Sequence, residues 1–171
     1  MSITIAMPRM VPNQLLAEAH AKYPESLARA GAEMRWIELD DPEKAVQDAL
    51  ACDGLLLPGG GDIDPKFYGQ ERISACGEPN LLRDAAEPKL LRAFLAADKP
   101  VLGICLGMQI AVIEFARHVV GWADAHSAEF TAMTAHPVID LMSDQVGVTA
   151  KGGTMRLGKY PCRLAEGSLA R

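Results

Sequence analysis

What this chain has little of excludes several functions at once. Aromatic residues make up only 5% of its 171 residues, too few for the stacking platforms on which proteins hold single-stranded nucleic acid. Lysine and arginine form no run, and the formal net charge is −5. That balance removes the attraction to phosphate backbones, so no nucleic-acid partner is expected. The most apolar stretch, Val101 to Ile113, is interrupted by Gln109 and falls well short of the roughly 20 residues that cross a bilayer. No membrane span is expected. The opening residues, MSITIAMPRM, lack the basic start, apolar middle and small-residue cleavage site of a secretory signal, which leads us to expect the cytoplasm. Four cysteines occur, with no CxxC pair and no histidine at metal-ligand spacing. Neither a metal site nor a disulfide framework is expected, and reduced thiols are the default.

What is present reads as one globular domain over residues 1–171. Hydrophobic residues are 49% and charged residues 23%, ordinary values for a chain long enough to bury roughly two-thirds of its unfolded surface. Ser2 to Met7 predicts a strand, and a helical stretch follows Pro12, with Pro24 starting a second segment that stops at Gly31. Met34 to Leu39 reads as a strand, and Asp41 as the N-cap of a short helix with Pro42 at its first position, running to Leu50. Gly54 to Leu57 is a short apolar run, as a strand buried on both faces should be. Gly59 to Asn80 has turn chemistry throughout and is too long for a simple connection. Leu81 to Ala97 places Leu82, Ala86, Leu90, Phe94 and Ala97 at helical spacing. Val101 to Ile104 predicts a fourth strand and Met108 to Val120 a helix behind it. Trp122 to His136 shows no clear period, Val138 to Met142 reads as a short strand, and Met155 to Leu164 as a hairpin. The alternation is that of a doubly wound α/β sheet, whose reactive groups gather at the carboxyl ends of the strands.

Gly-x-Cys-x-Gly at residues 103–107 ends an apolar run and opens a helix. A turn this tight needs residues without a bulky Cβ on either side of the exposed side chain, and Gly103 and Gly107 provide them. A thiol at a helix N-terminus is also favoured as thiolate by the dipole and by nearby N–H groups, which makes Cys105 a candidate nucleophile. The alternative is a small buried residue at the end of a core strand. The GGGDID segment is not read as a phosphate nest or a calcium loop, because it lacks the GK[ST] of a P-loop and further acidic ligands.

The elbow and the PGGG turn together resemble the class I glutamine amidotransferase superfamily. LLLPGGGDIDPKFYGQE, with RDAAEPKLLRAFLAADKPVLGIC, looks like the γ-glutamyl hydrolase branch that includes γ-glutamyl-GABA hydrolases. GICLGMQIAVIEFARHVVGWADAHSAEF, then HPVIDLM and GGTMRLGKYPCRL, looks like the glutaminase domain of CTP synthases. The resemblance implies a flavodoxin-like, doubly wound, mainly parallel sheet with a nucleophile elbow. It also implies that Cys105 attacks the side-chain amide of glutamine to form a γ-glutamyl thioester. The N–H groups of Gly60 and Leu106 match the oxyanion positions, and Gly59, on the same turn, is implied to be a substrate-binding residue. Gln109 and Glu129 match substrate-holding positions, Glu129 through the α-amino group. No cofactor is implied. The implied ligand is glutamine or another γ-glutamyl compound, and the implied partner a synthetase or a second copy of the chain. Read without the resemblance, Gln109 is a solvated helix residue and Glu129 the cap of a local turn.

One part of the family pattern is missing. The superfamily pairs its cysteine with a His-x-Glu motif, and none of His20, His118, His126 and His136 begins one. Relative to the family the fold is expected to be C-terminally incomplete, with an uncovered sheet edge or apolar face. Three functions follow from these residues: weak glutamine amide hydrolysis, hydrolysis of γ-glutamyl amines or peptides, and a non-catalytic γ-glutamyl-binding or scaffold module.

Overall fold

A computed structural model describes residues 2–9, 14–68, 71–72, 77–128, 133–140 and 166–167, with backbone alone at 14–21 and 68. Its centre is a four-stranded parallel sheet. Strands β1 (Ile3–Pro8), β2 (Ala32–Ile37), β3 (Gly54–Leu57) and β4 (Val101–Gly103) lie in the order β2-β1-β3-β4. β1 pairs with β2 from Ile3 opposite Ala32 to Pro8 opposite Ile37, and with β3 at Ile5 and Ala6. β4 lies beside β3, with Leu55 opposite Val101 and Leu57 opposite Gly103. The order is that of the flavodoxin-like sheet. β3 is buried along its whole length, as its unbroken apolar run requires.

The helices follow from their caps. Helix α2 (Pro42–Leu50) starts at Asp41, whose Oδ1 accepts from the N–H groups of Glu43 at 3.0 Å and Lys44 at 3.1 Å. Asn80 does the same for α3 (Leu81–Ala96), accepting from the Arg83 N–H at 3.2 Å. These side chains satisfy donors that a helix start leaves unpaired. Helix α1 (Gln14–Arg29) is continuous through Pro24, so the two segments expected there are one. The ring removes a single ladder hydrogen bond, and the turns on either side hold.

The buried face of α3 also differs from the expected one. Leu82 is 50% exposed and Ala97 is exposed, while Arg83, Ala86, Glu87, Leu90, Leu91 and Phe94 are buried. The face is turned by about one position because an ion pair, Arg83 with Glu87, occupies its N-terminal end. Together with Ala6, Ile37, Leu55 and Leu57, the apolar part of this face forms the core.

Helix α4 (Leu106–Phe115) follows β4 and continues as a π-helical turn over Ala116–Val120. Gly121, at φ +86°, ends it in the left-handed conformation that glycine adopts without penalty. Among the described residues that follow, side chains make the ties. Asp124 Oδ2 accepts from the Ala135 N–H at 2.9 Å, Asp124 Oδ1 lies 2.6 Å from His136 Nδ1, and the His136 ring stacks on Trp122 at 4.7 Å. The region closes into a short parallel ribbon of β5 (His126–Ser127) and β6 (Pro137–Ile139), which carries the start of the strand expected from Val138. The hairpin expected from Met155 to Leu164 lies outside the described residues. Among the described residues, no helix is long and apolar enough to cross a membrane.

The two leucines of α3 test this register. Leu90→Ala is expected to cost about 2–5 kcal/mol in urea denaturation, the range for truncating a fully buried leucine, whereas Leu82→Ala stays within about 0.5 kcal/mol of the parent. Equal losses would return Leu82 to the core.

Candidate active site

The carboxyl ends of β3 and β4 meet at one place. The Ile104 N–H donates to Leu57 O at 2.9 Å, carrying the ladder one residue beyond β4, and there the chain reverses. Cys105 adopts φ 54° and ψ −119°, and the Gly107 N–H closes the turn onto Ile104 O at 3.1 Å. This is the first central position of a type II′ turn, where glycine is the usual residue. A side chain held there costs of order 1–3 kcal/mol. Asp98 is the other non-glycine residue with positive φ among those described.

The flanking glycines are required by close approach, not by their own dihedrals. A Cβ on Gly107 would lie 2.3 Å from Leu57 O, and one on Gly103 would lie 2.5 Å from Met108 Cα. No side chain fits either place, so the first turn of α4 rests directly on the end of β3. The result is an exposed thiol at a helix N-terminus.

The PGGG turn stands against that thiol. A Cβ on Gly59 would lie 3.1 Å from Cys105 Cβ and 3.8 Å from its Sγ. On the other side the turn is gripped by Arg83, whose Nη2 donates to Pro58 O at 2.9 Å and Nη1 to Gly59 O at 3.2 Å. Its Nε donates to Glu87, and both side chains are almost wholly buried. Burial pushes the Glu87 carboxyl above the usual carboxylate range, and the guanidinium beside it draws it back. Neither the Gly60 N–H nor the Leu106 N–H is taken up by another of the described residues.

The structure thus brings Cys105, Leu106, Gly59 and Gly60 together. Gln109 stands one turn along α4, half-buried, its N–H donating to Cys105 O at 3.2 Å. Glu129 lies outside the described residues. Of the histidine side chains described, His118 Nε2 is 3.2 Å from Glu114, His136 pairs with Asp124, and burial, aided by Arg117, holds His126 below its ordinary pKa. Sequence reasoning missed the Arg83 and Glu87 clamp. Its signal was there, a charged pair four residues apart at the head of an otherwise apolar helix face.

The chain is similar to known proteins over most of its length. The family model described as Peptidase C26 matches residues 7–155. The chain is 44% identical over 161 residues to a CTP synthase of Fibrobacter succinogenes, covering 91% of this chain and 25% of that protein. It is 42% identical over 163 residues to a CTP synthase of Geobacillus kaustophilus, covering 91% and 27%. The chain therefore spans about a quarter of the length of these relatives, and the likeness to them reaches well beyond its second half. Among solved structures, the Trypanosoma brucei CTPS glutaminase domain with bound acivicin superposes with a TM-score of 0.54 at 24% identity, covering 84% of this chain and 52% of that one. That likeness supports the fold.

Two predictions follow from the site. Replacing a residue by glycine ordinarily destabilises, but at φ 54° glycine relieves strain. Cys105→Gly is expected to be more stable than Cys105→Ala by about 0.5–2 kcal/mol in chemical denaturation, and the reverse order would mean that the turn is relaxed. The His136 ring and then the Ala135 N–H hold the Asp124 carboxyl down to about 2. A depressed carboxylate contributes its stabilisation fully above its unfolded pKa and loses it as pH falls through the folded value. Carboxyl-carbon NMR should therefore show Asp124 titrating near pH 2, with the Trp122 and His136 contact kept at pH 4. A midpoint near the ordinary value would separate the pair.

Proposed function

The chain belongs to the Peptidase C26 family, and on that premise we propose that it hydrolyses the side-chain amide of glutamine to glutamate and ammonia through Cys105. The observation that carries this reading is the exposed thiol on a strained turn at a helix N-terminus, with Gly59 packed beside it. In this reading the sulfur attacks the amide carbonyl carbon, and the carbonyl electron pair moves to oxygen, to which the N–H groups of Gly60 and Leu106 donate hydrogen bonds. Backbone donors fixed before the reaction act strongly at such a position. The tetrahedral adduct collapses to a γ-glutamyl thioester as the nitrogen gains a proton and leaves as ammonia. Water then cleaves the thioester. Gln109 and Glu129 hold the substrate, Glu129 by its charge against the α-ammonium group.

The relatives are CTP synthases, and this supports glutamine over larger γ-glutamyl compounds. It also supports a synthetase module or a second copy as the receiver of ammonia. A free thiol nucleophile suits a reducing cytoplasm. No His-x-Glu stands in these 171 residues, and the proton of the leaving nitrogen is assigned to none of them.

Ammonia release from glutamine should be measurable for the chain and absent for Cys105→Ala, with γ-glutamyl-GABA turned over more slowly than glutamine. Brief labelling with a γ-glutamyl diazo-ketone, mapped by mass spectrometry, should modify Cys105 well before the buried Cys52. A rate that survives the substitution, or equal labelling of both thiols, would remove Cys105 as nucleophile.

A further inference from the structure

Resting on the thioester chemistry proposed above, we infer that Arg83, braced by Glu87, is a positioning residue that aims the Gly60 N–H at the developing oxyanion. The argument starts from what the pair does not explain. Arg83 is 4% exposed and Glu87 1%, and an ion pair taken out of water is a poor source of stability, since apolar residues of similar volume often serve as well. The guanidinium is spent on backbone. It holds Glu87 by Nε, Pro58 O by Nη2 at 2.9 Å and Gly59 O by Nη1 at 3.2 Å.

The consequence lies on the far side of those carbonyls. A peptide unit is planar and trans, so its C=O and the following N–H point in opposite directions. Fixing the Gly59 carbonyl on the guanidinium turns the Gly60 N–H away from it. This unit is flanked by glycine on both sides, and no Cβ resists its rotation. It shares that freedom with the Gly60–Gly61 unit, and its carbonyl, together with that of Pro58, is held by a buried arginine. Lysine cannot substitute, because a single ammonium does not present the planar fork that spans two carbonyls and a carboxylate.

Cys105 packs against the same glycine, its Sγ 3.8 Å from where a Gly59 Cβ would be. Arg83 thus touches neither thiol nor substrate. It acts through the Gly59 carbonyl on the direction of the next N–H. A flipped unit would present a carbonyl oxygen to the tetrahedral adduct in place of a donor, and losing one oxyanion donor slows such reactions about 10²–10³-fold.

The test uses a reaction that needs the oxyanion and another that does not. With the p-nitrophenyl γ-ester of glutamate, the Cys105 sulfur bonds to the carbonyl carbon as the carbonyl electron pair moves to oxygen. Collapse of the adduct expels p-nitrophenolate, leaving the γ-glutamyl thioester. This leaving group departs as the anion, so its expulsion needs no general acid. Iodoacetamide alkylates the same sulfur by displacing iodide, with no oxyanion. Arg83→Lys should acylate about 10²-fold more slowly than the parent, with the iodoacetamide rate changed less than about twofold. Glu87→Gln, which keeps an acceptor for Nε, should lose about three- to tenfold in acylation alone. Acylation at the parental rate in either variant would overturn the inference and leave the proposed function standing. An Arg83→Lys protein that loses both reactions alike has lost the elbow as a whole, which also overturns it. If the parent itself releases no more p-nitrophenolate than Cys105→Ala, the proposed function fails instead.

Discussion

Everything at this site depends on the close approach of the first turn of α4 to the end of β3. With a Cβ on Gly107 only 2.3 Å from Leu57 O, the helix could not begin where it does. It would have to lift from the sheet, and the Ile104 N–H would part from Leu57 O. The strain at Cys105 is the other half of this constraint. To leave β4 in the ladder and enter α4 at contact distance, the chain must reverse within one residue. A type II′ turn with a side chain at its first central position does that. The fold holds the thiol in a conformation that an isolated peptide would leave.

How much of this was legible in sequence depended on whether a signal was local. The cap at Asp41, the buried strand Gly54–Leu57 and the glycines around Cys105 are each fixed by chemistry within a few residues, and they read directly. Pro24 misled because a proline usually ends a helix, yet the packing of a 16-residue helix outweighs one missing hydrogen bond. The buried face of α3 misled for the opposite reason. Periodicity counts apolar residues, and the head of this face is charged. Only the PGGG turn, 24 and 25 residues earlier in sequence, explains why an arginine and a glutamate belong inside. The role read for Gln109 came from resemblance, since nothing in its spacing separates a substrate contact from a solvated helix position.

Helix α4 shows the same mismatch between pattern and surroundings. α4 reads LGMQIAVIEF, apolar almost all round, the composition of a helix covered on every side. Yet Met108, Val112 and Phe115 are exposed, and so is Leu102 on β4. Met108, Val112 and Phe115 border, with Leu91, Leu95, Val101 and Val138, an apolar groove of about 470 Å³ beside β4, the last strand of the sheet among the described residues. The α4 sequence is thus written for more cover than the described residues supply.

Glu114 shows how the buried side of that helix is held. Its carboxylate, almost buried, has Arg92 at 3.6 Å, Arg117 at 3.5 Å and His118 at 3.2 Å. Arg92 reaches it from α3, and Arg117 in turn donates to Ala125 O at 2.8 Å. One carboxylate thereby ties α4 to α3 and, through Arg117, to the segment leading to β5. Arg83 grips the PGGG turn from the N-terminal end of α3 and Arg92 reaches α4 from farther along the same helix. Both sides of the elbow are thus referred to one rigid element. A strained turn keeps its geometry only where its surroundings over-determine it, and α3, buried against the sheet by Leu90 and Phe94, is the element that does so here.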